Sequence, residues 1–406
     1  MKADNKSIFL LWLAGNALRL TILAVPPVLA LVQSDLKLTG TQVGILTSLP
    51  VVLFALAALP GSLLIARFGA HTALVFGILI AAAGGAMRGF SPNVWFLYVS
   101  TIVMGAGVAI MQPSLPPLVR EWLPKRINFG SAVFTNGLLV GEILPVALTV
   151  PLLLPLFNES WRAGMALWSV PMVLIAAIVW WFAPREVKSA STVPARWWPD
   201  WSDSVTWRLG LMMCAANATY FGVNTFIPGY LAYVGQPDFI SVALTALNVG
   251  QIPASFLLLM FARQTERKVW PFVAFGVIQL VGLIGLAMTT QWGAVFFATW
   301  LGFSAAGVLA LSLAVPAMLA AREDVGRLAA AMFAIGYGLA VVLTVAGGAL
   351  WDATGDARFA FLPLSVGAVF LIVLTPTIGH ELMSRNGGSG KASRATRSAR
   401  VRRRPS

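Results

Sequence analysis

The chain has 406 residues, 58% of them hydrophobic and only 11% charged, with a mean hydropathy of +0.82. A soluble fold of this size cannot hide that much apolar surface, so lipid must be the solvent for most of it. The single cysteine, Cys214, excludes a disulfide framework, and the two histidines, His71 and His380, lie far apart near predicted helix ends, so neither a metal site nor a cofactor is expected.

Apolar segments long enough to cross a core of about 30 Å fall at 8–32, 43–66, 72–89, 94–118, 129–156 and 162–182, and again at 207–234, 240–262, 270–290, 294–320, 328–350 and 359–380. The first is too long for a signal-peptide core, and no cleavage site follows it. The segments at 129–156 and 294–320 are long enough to demand tilt or a kink. The predicted class is therefore an all-α integral membrane protein of twelve transmembrane helices. Its expected organisation is a six-helix half over 1–182, a cytoplasmic linker over 183–206, a second six-helix half over 207–380, and a disordered basic tail over 381–406.

The net charge of +13 does not describe a nucleic-acid surface, because its distribution follows the loops. With both termini cytoplasmic, 23 of the 28 Lys and Arg fall on the inner side and only Lys37, Arg88, Arg162 and Arg358 on the outer. That bias is the orientation signal of a multi-pass membrane protein with an even number of spans. Arg19 remains, inside the first span.

The two halves resemble each other. Asn16-Ala-Leu-Arg19 aligns with Asn217-Ala-Thr-Tyr220 at an offset of 201, which also places Pro27 on Pro228. Leu115-Pro116 through Arg120-Glu121 parallels Val315-Pro316 through Arg322-Glu323 at nearly the same offset. A duplicated six-helix unit with a mid-depth site between its copies is a transporter architecture.

These residues carry a resemblance to the major facilitator superfamily, and within it to the cyanate permease and nitroimidazole transporter family. Asn16-Ala-Leu-Arg19 running into Ala24-Val-Pro26-Pro27 is similar to that family's first helix. Gly44-Ile-Leu-Thr47-Ser-Leu-Pro50 with Ala66-Arg67-Phe-Gly69 is similar to its second helix and the gating loop after it. Gly85-Ala-Met-Arg88 resembles the end of its third helix, and Trp161-Arg162 with Trp168 its sixth. The chain departs from the superfamily pattern at Ala66, Ala70 and His71, where an acidic residue and basic residues are usual. Leu20 replaces the family's proline after the arginine, and Gln112 stands where the family often has Asn. The resemblance implies a secondary transporter in the bacterial inner membrane, the plasma membrane.

Arg19 is the leading site residue. It lies about eleven residues from either end of its predicted helix, roughly 16 Å at 1.5 Å per residue, too deep for its head to reach either surface with ease. Charges at such depth normally face a cavity. Its planar, always-protonated fork suits a small planar anion such as a carboxylate or cyanate. Glu142 is the one carboxylate near the middle of a predicted span; it is a candidate proton-coupling acid, or alternatively a structural partner of Arg19. Asn16, Gln112, Asn136, Tyr220, Asn224, Asn248, Gln251 and Tyr337 can each meet a substrate or bridge helices. Of these, Asn16, Gln112, Tyr220, Asn224, Gln251 and Tyr337 join Arg19 as substrate-binding candidates, with Arg67 and Gly69 as gating residues. The Gly-rich stretches at Gly105-Ala-Gly107, Gly336-Tyr-Gly338 and Gly347-Gly348 lack a phosphate-loop context and read as close-packing points.

The expected function is secondary transport of a small anionic or planar polar solute by alternating access, as a monomer, with the proton as candidate coupling ion and no nucleic-acid partner. One alternative is efflux of a drug or aromatic compound, which the 15 Trp and 24 Phe would serve if they lined the cavity. Another is a membrane enzyme or receptor; the sequence offers no clustered acid, base or nucleophile for it.

Overall fold

The computed structural model describes residues 2–38, 40–184, 197–265 and 267–378. Residues 185–196, half of the expected linker, and the whole basic tail, with His380, lie outside these residues. Among the described residues there are helices and turns but no strand.

The helices are α1 (Lys2–Ala17), α2 (Gly40–Phe68), α3 (Ala70–Gly89), α4 (Val94–Trp122), α5 (Ile127–Leu148) and α6 (Ser169–Phe182). They are followed by α7 (Ser204–Asn217), α8 (Ile240–Met260), α9 (Trp270–Met288), α10 (Gln291–Leu319), α11 (Val325–Thr354) and α12, which begins with a 3-10 turn and spans Ala357–Ile378. Side-chain caps start several of them: Asn93 accepts from the Phe96 amide at 3.0 Å ahead of α4, and Asp203 from Val205 at 3.0 Å ahead of α7. Gly69, between α2 and α3, has φ 87°, a conformation that a residue with a Cβ adopts only under strain.

Among the described residues, ten helical segments are long and apolar enough to cross a bilayer, the one that contains α6 running from Trp161 to Phe182. The two exceptions are the first of each half. The expected continuous helix over 8–32 is not formed. α1 ends at Ala17, the chain unwinds through residues 18–25, and a 3-10 turn at Pro26–Val28 leads into a short helix, Leu29–Leu36. Pro26 and Pro27 have no N–H to donate, so the helical ladder fails ahead of them. α7 gives way at the corresponding place to a π turn, Ala218–Gly222, before helix resumes at Val223–Tyr233. The predicted kink in 129–156 also appears as a π turn, Thr149–Leu153, whereas α10 runs unbroken over its 29 residues.

Large apolar side chains cover the outside of the bundle. Trp95, Trp181, Trp270 and Trp292 are exposed near helix ends, the aromatic belts expected at the two interfaces. Within the bundle, small residues let backbones meet: a Cβ on Gly107 would lie 2.4 Å from the Ala81 amide, and one on Gly336 would meet Met213.

The halves touch at one end of the bundle. Ile65 of α2 packs on Gly326 of α11. Asn136 of α5 donates to Ser255 of α8 at 3.1 Å, and Gln112 of α4 to Tyr337 of α11 at 3.2 Å. Arg120, at the end of α4, donates to the carbonyl of Ala320 just past α10, and Arg322 lies 3.6 Å from Glu121. These last four positions are the repeat-related ones, so the matching segments bind each other. At the opposite end, Asp35 accepts from Arg162 at 2.5 Å and from Trp161 at 3.0 Å, within the first half. Those bonds, the Arg162 one foremost, hold the Asp35 carboxyl below its ordinary value.

Candidate substrate site

The seam between α1 and α5 brings the two central charges together. A Cβ on Gly137 would lie 2.1 Å from the Trp12 carbonyl, and one on Gly141 would lie 2.4 Å from that of Asn16. Only glycine permits this approach, and it delivers Glu142 beside the first residues of the unwound segment. Arg19 Nε stands 3.2 Å from Glu142 Oε1, with both residues more than nine-tenths buried. Arg19 is therefore in irregular backbone and not in mid-helix. Irregular backbone is tolerated at membrane depth where it lines a cavity.

Such a cavity is present. It measures about 200 Å³ and is lined by Arg19, Arg88, Glu142, Tyr220 and Asn224, with Phe54, Phe221 and Thr101 among the remaining wall residues. Rings close around the guanidinium: Phe54 lies 5.8 Å from it, Tyr337 is 5.2 Å from Phe54, and Phe221 is 6.0 Å from Tyr337. No tryptophan lines this space. On the far side of Arg19 lie two voids of about 10 Å³, one lined by Glu142, Asn217, Tyr220 and Gln251, the other by Gln112, Phe333 and Tyr337. Neither admits more than a water-sized object. The site is open toward the Asp35 end and shut toward the Arg120 end.

The remaining candidates divide clearly. Tyr220 donates to Asn248 Oδ1 at 3.0 Å, Gln251 to the same atom at 3.4 Å, and the Asn224 amide to the Tyr220 carbonyl at 2.8 Å. Tyr220 and Asn224 line the main cavity, whereas Gln251, Gln112 and Tyr337 line only the small voids. Asn16 faces none of these spaces; its amide donates back to the Trp12 carbonyl at 2.9 Å, one turn earlier in α1. Asn136 is a bridge, accepting from Trp12 at 3.1 Å and donating to Ser255.

Arg67 is exposed beside Phe68, with no carboxylate within 4 Å among the described residues. Position 66, where a carboxylate would be usual, is alanine. Polar cross-half contacts at this end are made by Arg120, Glu121, Ala320 and Arg322. Their signal in the sequence was the duplicated Pro…Arg-Glu segment. Arg88 also departs from expectation. Counted among outer loop charges, it is 1% exposed, lies in the cavity wall, and donates to the Thr21 carbonyl in the unwound segment.

Two six-helix halves enclosing a buried, charged, one-sided cavity define a membrane carrier of the alternating-access class. The Major Facilitator Superfamily model matches residues 9–235, and the chain belongs to that superfamily. It is 27% identical over 381 residues to the cyanate transport protein CynX of Escherichia coli (strain K12), a match covering 90% of this chain and 96% of the relative. It is 23% identical to the 2-nitroimidazole transporter of the same organism, covering 90% and 93%. Among solved structures, the E. coli fucose:proton symporter FucP superposes with a TM-score of 0.70 at 16% identity, over 92% of this chain and 97% of that one. The proton:xylose symporter XylE superposes with a TM-score of 0.72 at 11% identity, over 93% and 95%. At these identities the structural likeness establishes the fold.

Proposed function

We propose that this secondary transporter moves a small planar anion, of the size of cyanate or a short carboxylate, and that a proton carried by Glu142 is coupled to it. The observation that carries the proposal is Arg19: a buried guanidinium on unwound backbone, in the wall of a cavity between the halves, with Glu142 as its resident counter-ion. A solute anion competes with Glu142 for the same planar donor fork. When the anion draws Arg19 away, Glu142 can remain buried only if it is neutralised, so anion and proton enter together. Arg19, Tyr220 and Gln251 line one small void together with that carboxylate.

The cavity of about 200 Å³ is smaller than the roughly 300–1,000 Å³ of sites for drug-sized ligands, which favours a small solute over multidrug efflux. The charge bias puts the Arg120 end in the cytoplasm, so the described conformation is outward-open. The rings of Phe54, Tyr220 and Phe221 favour a flat solute and support one second reading, a planar nitro compound, in line with the nitroimidazole transporter relative.

The test is uptake of labelled cyanate, nitrate, acetate and 2-nitroimidazole into liposomes holding the purified protein, with and without an inward proton gradient. The proposal expects saturable, gradient-stimulated uptake of an unaltered anion. Uptake of 2-nitroimidazole alone favours the second reading, and chemical change of the solute contradicts both.

A further inference from the structure

We propose that Arg88 is a second anion-binding residue, receiving the solute before it reaches Arg19. The inference deepens the anion reading above and rests on it. Arg88 ends α3, the helix that starts from the closed end of the bundle, so its head lies toward the open end of the cavity.

Three observations point to a ligand. Arg88 is 1% exposed, and among the described residues no carboxylate lies within 4 Å of it. Its Nε has no hydrogen-bond partner. It lines the same cavity as Arg19 and Glu142. A guanidinium carries five N–H donors, and the one acceptor identified for Arg88 is the Thr21 carbonyl. A buried cation without a counter-ion is strongly unfavourable, so a mobile anion is the natural complement.

The two arginines differ in a way that gives them an order. Arg19 is neutralised by Glu142, whereas Arg88 is not, so the cavity wall carries a net charge of one positive unit, located at Arg88. An incoming anion meets the uncompensated cation first, and only then competes with Glu142 for Arg19. Because Arg88 is bonded to the unwound segment at Thr21, two residues from Arg19, an anion drawing on Arg88 also bears on the backbone that positions Arg19. A neutral solute gains nothing from Arg88, so the residue selects for charge.

The test is isothermal titration of cyanate into the purified full-length chain in nanodiscs. A variant carrying both Arg19→Gln and Glu142→Gln is neutral at the cavity floor but keeps Arg88. It is expected to bind cyanate more weakly than wild type but measurably, through Arg88 alone. Adding Arg88→Gln abolishes that binding, and adding Arg88→Lys retains it. Absence of cyanate binding in the floor variant overturns the proposal without any variant at position 88 having to fold. Binding unchanged by Arg88→Gln overturns it as well, as does a folded Arg88→Lys protein that binds no better than Arg88→Gln. Failure of wild type to bind cyanate, nitrate or acetate overturns the anion reading itself, and this inference with it.

Discussion

Gln112 of α4 donates to the hydroxyl of Tyr337 of α11 at 3.2 Å, joining two residues 225 positions apart beside a void that Arg19 also lines. This bond crosses between the halves on the closed side of Arg19, and so helps to keep the solute from passing through.

Tyr337→Phe removes the bond and leaves the Gln112 amide without its partner. A net hydrogen bond is worth about 1 kcal/mol, so the opening equilibrium at this end should shift by about fivefold. The check is the labelling rate of Leu309→Cys, in a Cys214→Ala background, by a membrane-impermeant maleimide applied from the Arg120 side. Leu309 lines both small voids. A several-fold faster rate is expected; an unchanged rate removes Tyr337 from the barrier.

Glu142→Gln should uncouple transport from the proton. Uptake driven by a proton gradient is lost and its pH dependence flattens, while solute exchange across the membrane persists. Counterflow and gradient-driven uptake, measured on the same liposomes over a pH series, separate the two. Retained pH dependence returns Glu142 to a structural role.

Gly141→Ala tests how the pair is positioned. The added Cβ would lie 2.4 Å from the Asn16 carbonyl, so α1 and α5 must part. Overpacking of this kind costs about 1–3 kcal/mol. A lower melting temperature together with weaker uptake is expected; a protein that melts and transports like wild type shows the seam to be slack.

The Asp35 tie predicts a pH effect at the open end. Its carboxyl is held below the ordinary value by Arg162 and then Trp161, so the folded state favours the charged form. The resulting stability is present above the unfolded carboxyl pKa of about 3.9 and disappears as pH falls through the lowered folded value. Wild type should therefore melt higher than Asp35→Asn near pH 7, with the gap closing in strong acid. Equal melting at pH 7 contradicts this.

Much of the candidate site was legible because charge is rare in lipid. Arg19 and Glu142 stood out as lone charges in apolar runs, and Tyr220 followed from the repeat that pairs its segment with that of Arg19. What stayed hidden depended on backbone geometry. Asn16 lies in the right segment but faces along its own helix, and a span apolar on all sides gives no clue to rotation. Arg88 ends an apolar run and so counts as a loop charge; its burial follows from the unwound segment opposite, which offers it the Thr21 carbonyl. The unwinding itself was marked only by Pro26 and Pro27, residues that many continuous helices tolerate as a kink. The cross-half contacts of Arg120 and Arg322 were visible as a repeat but not as a pairing.

The stability of the central pair can be separated from its function. Arg19→Ala leaves Glu142 buried and uncompensated, a loss of about 3–5 kcal/mol for a pair of this burial. Adding Glu142→Gln to Arg19→Ala restores neutrality and should recover most of the melting temperature. A double variant as unstable as the single one shows that Arg19 is held in place by more than its carboxylate.

The most direct measurement is initial-rate uptake of the transported anion by liposomes holding Arg19→Lys or the Arg19→Ala/Glu142→Gln protein, each matched to wild type for folded, inserted protein. Uptake at the level of protein-free liposomes is predicted for both, because neither an ammonium nor an alanine presents the planar fork. Wild-type rates in either would mean that the solute does not bind at Arg19.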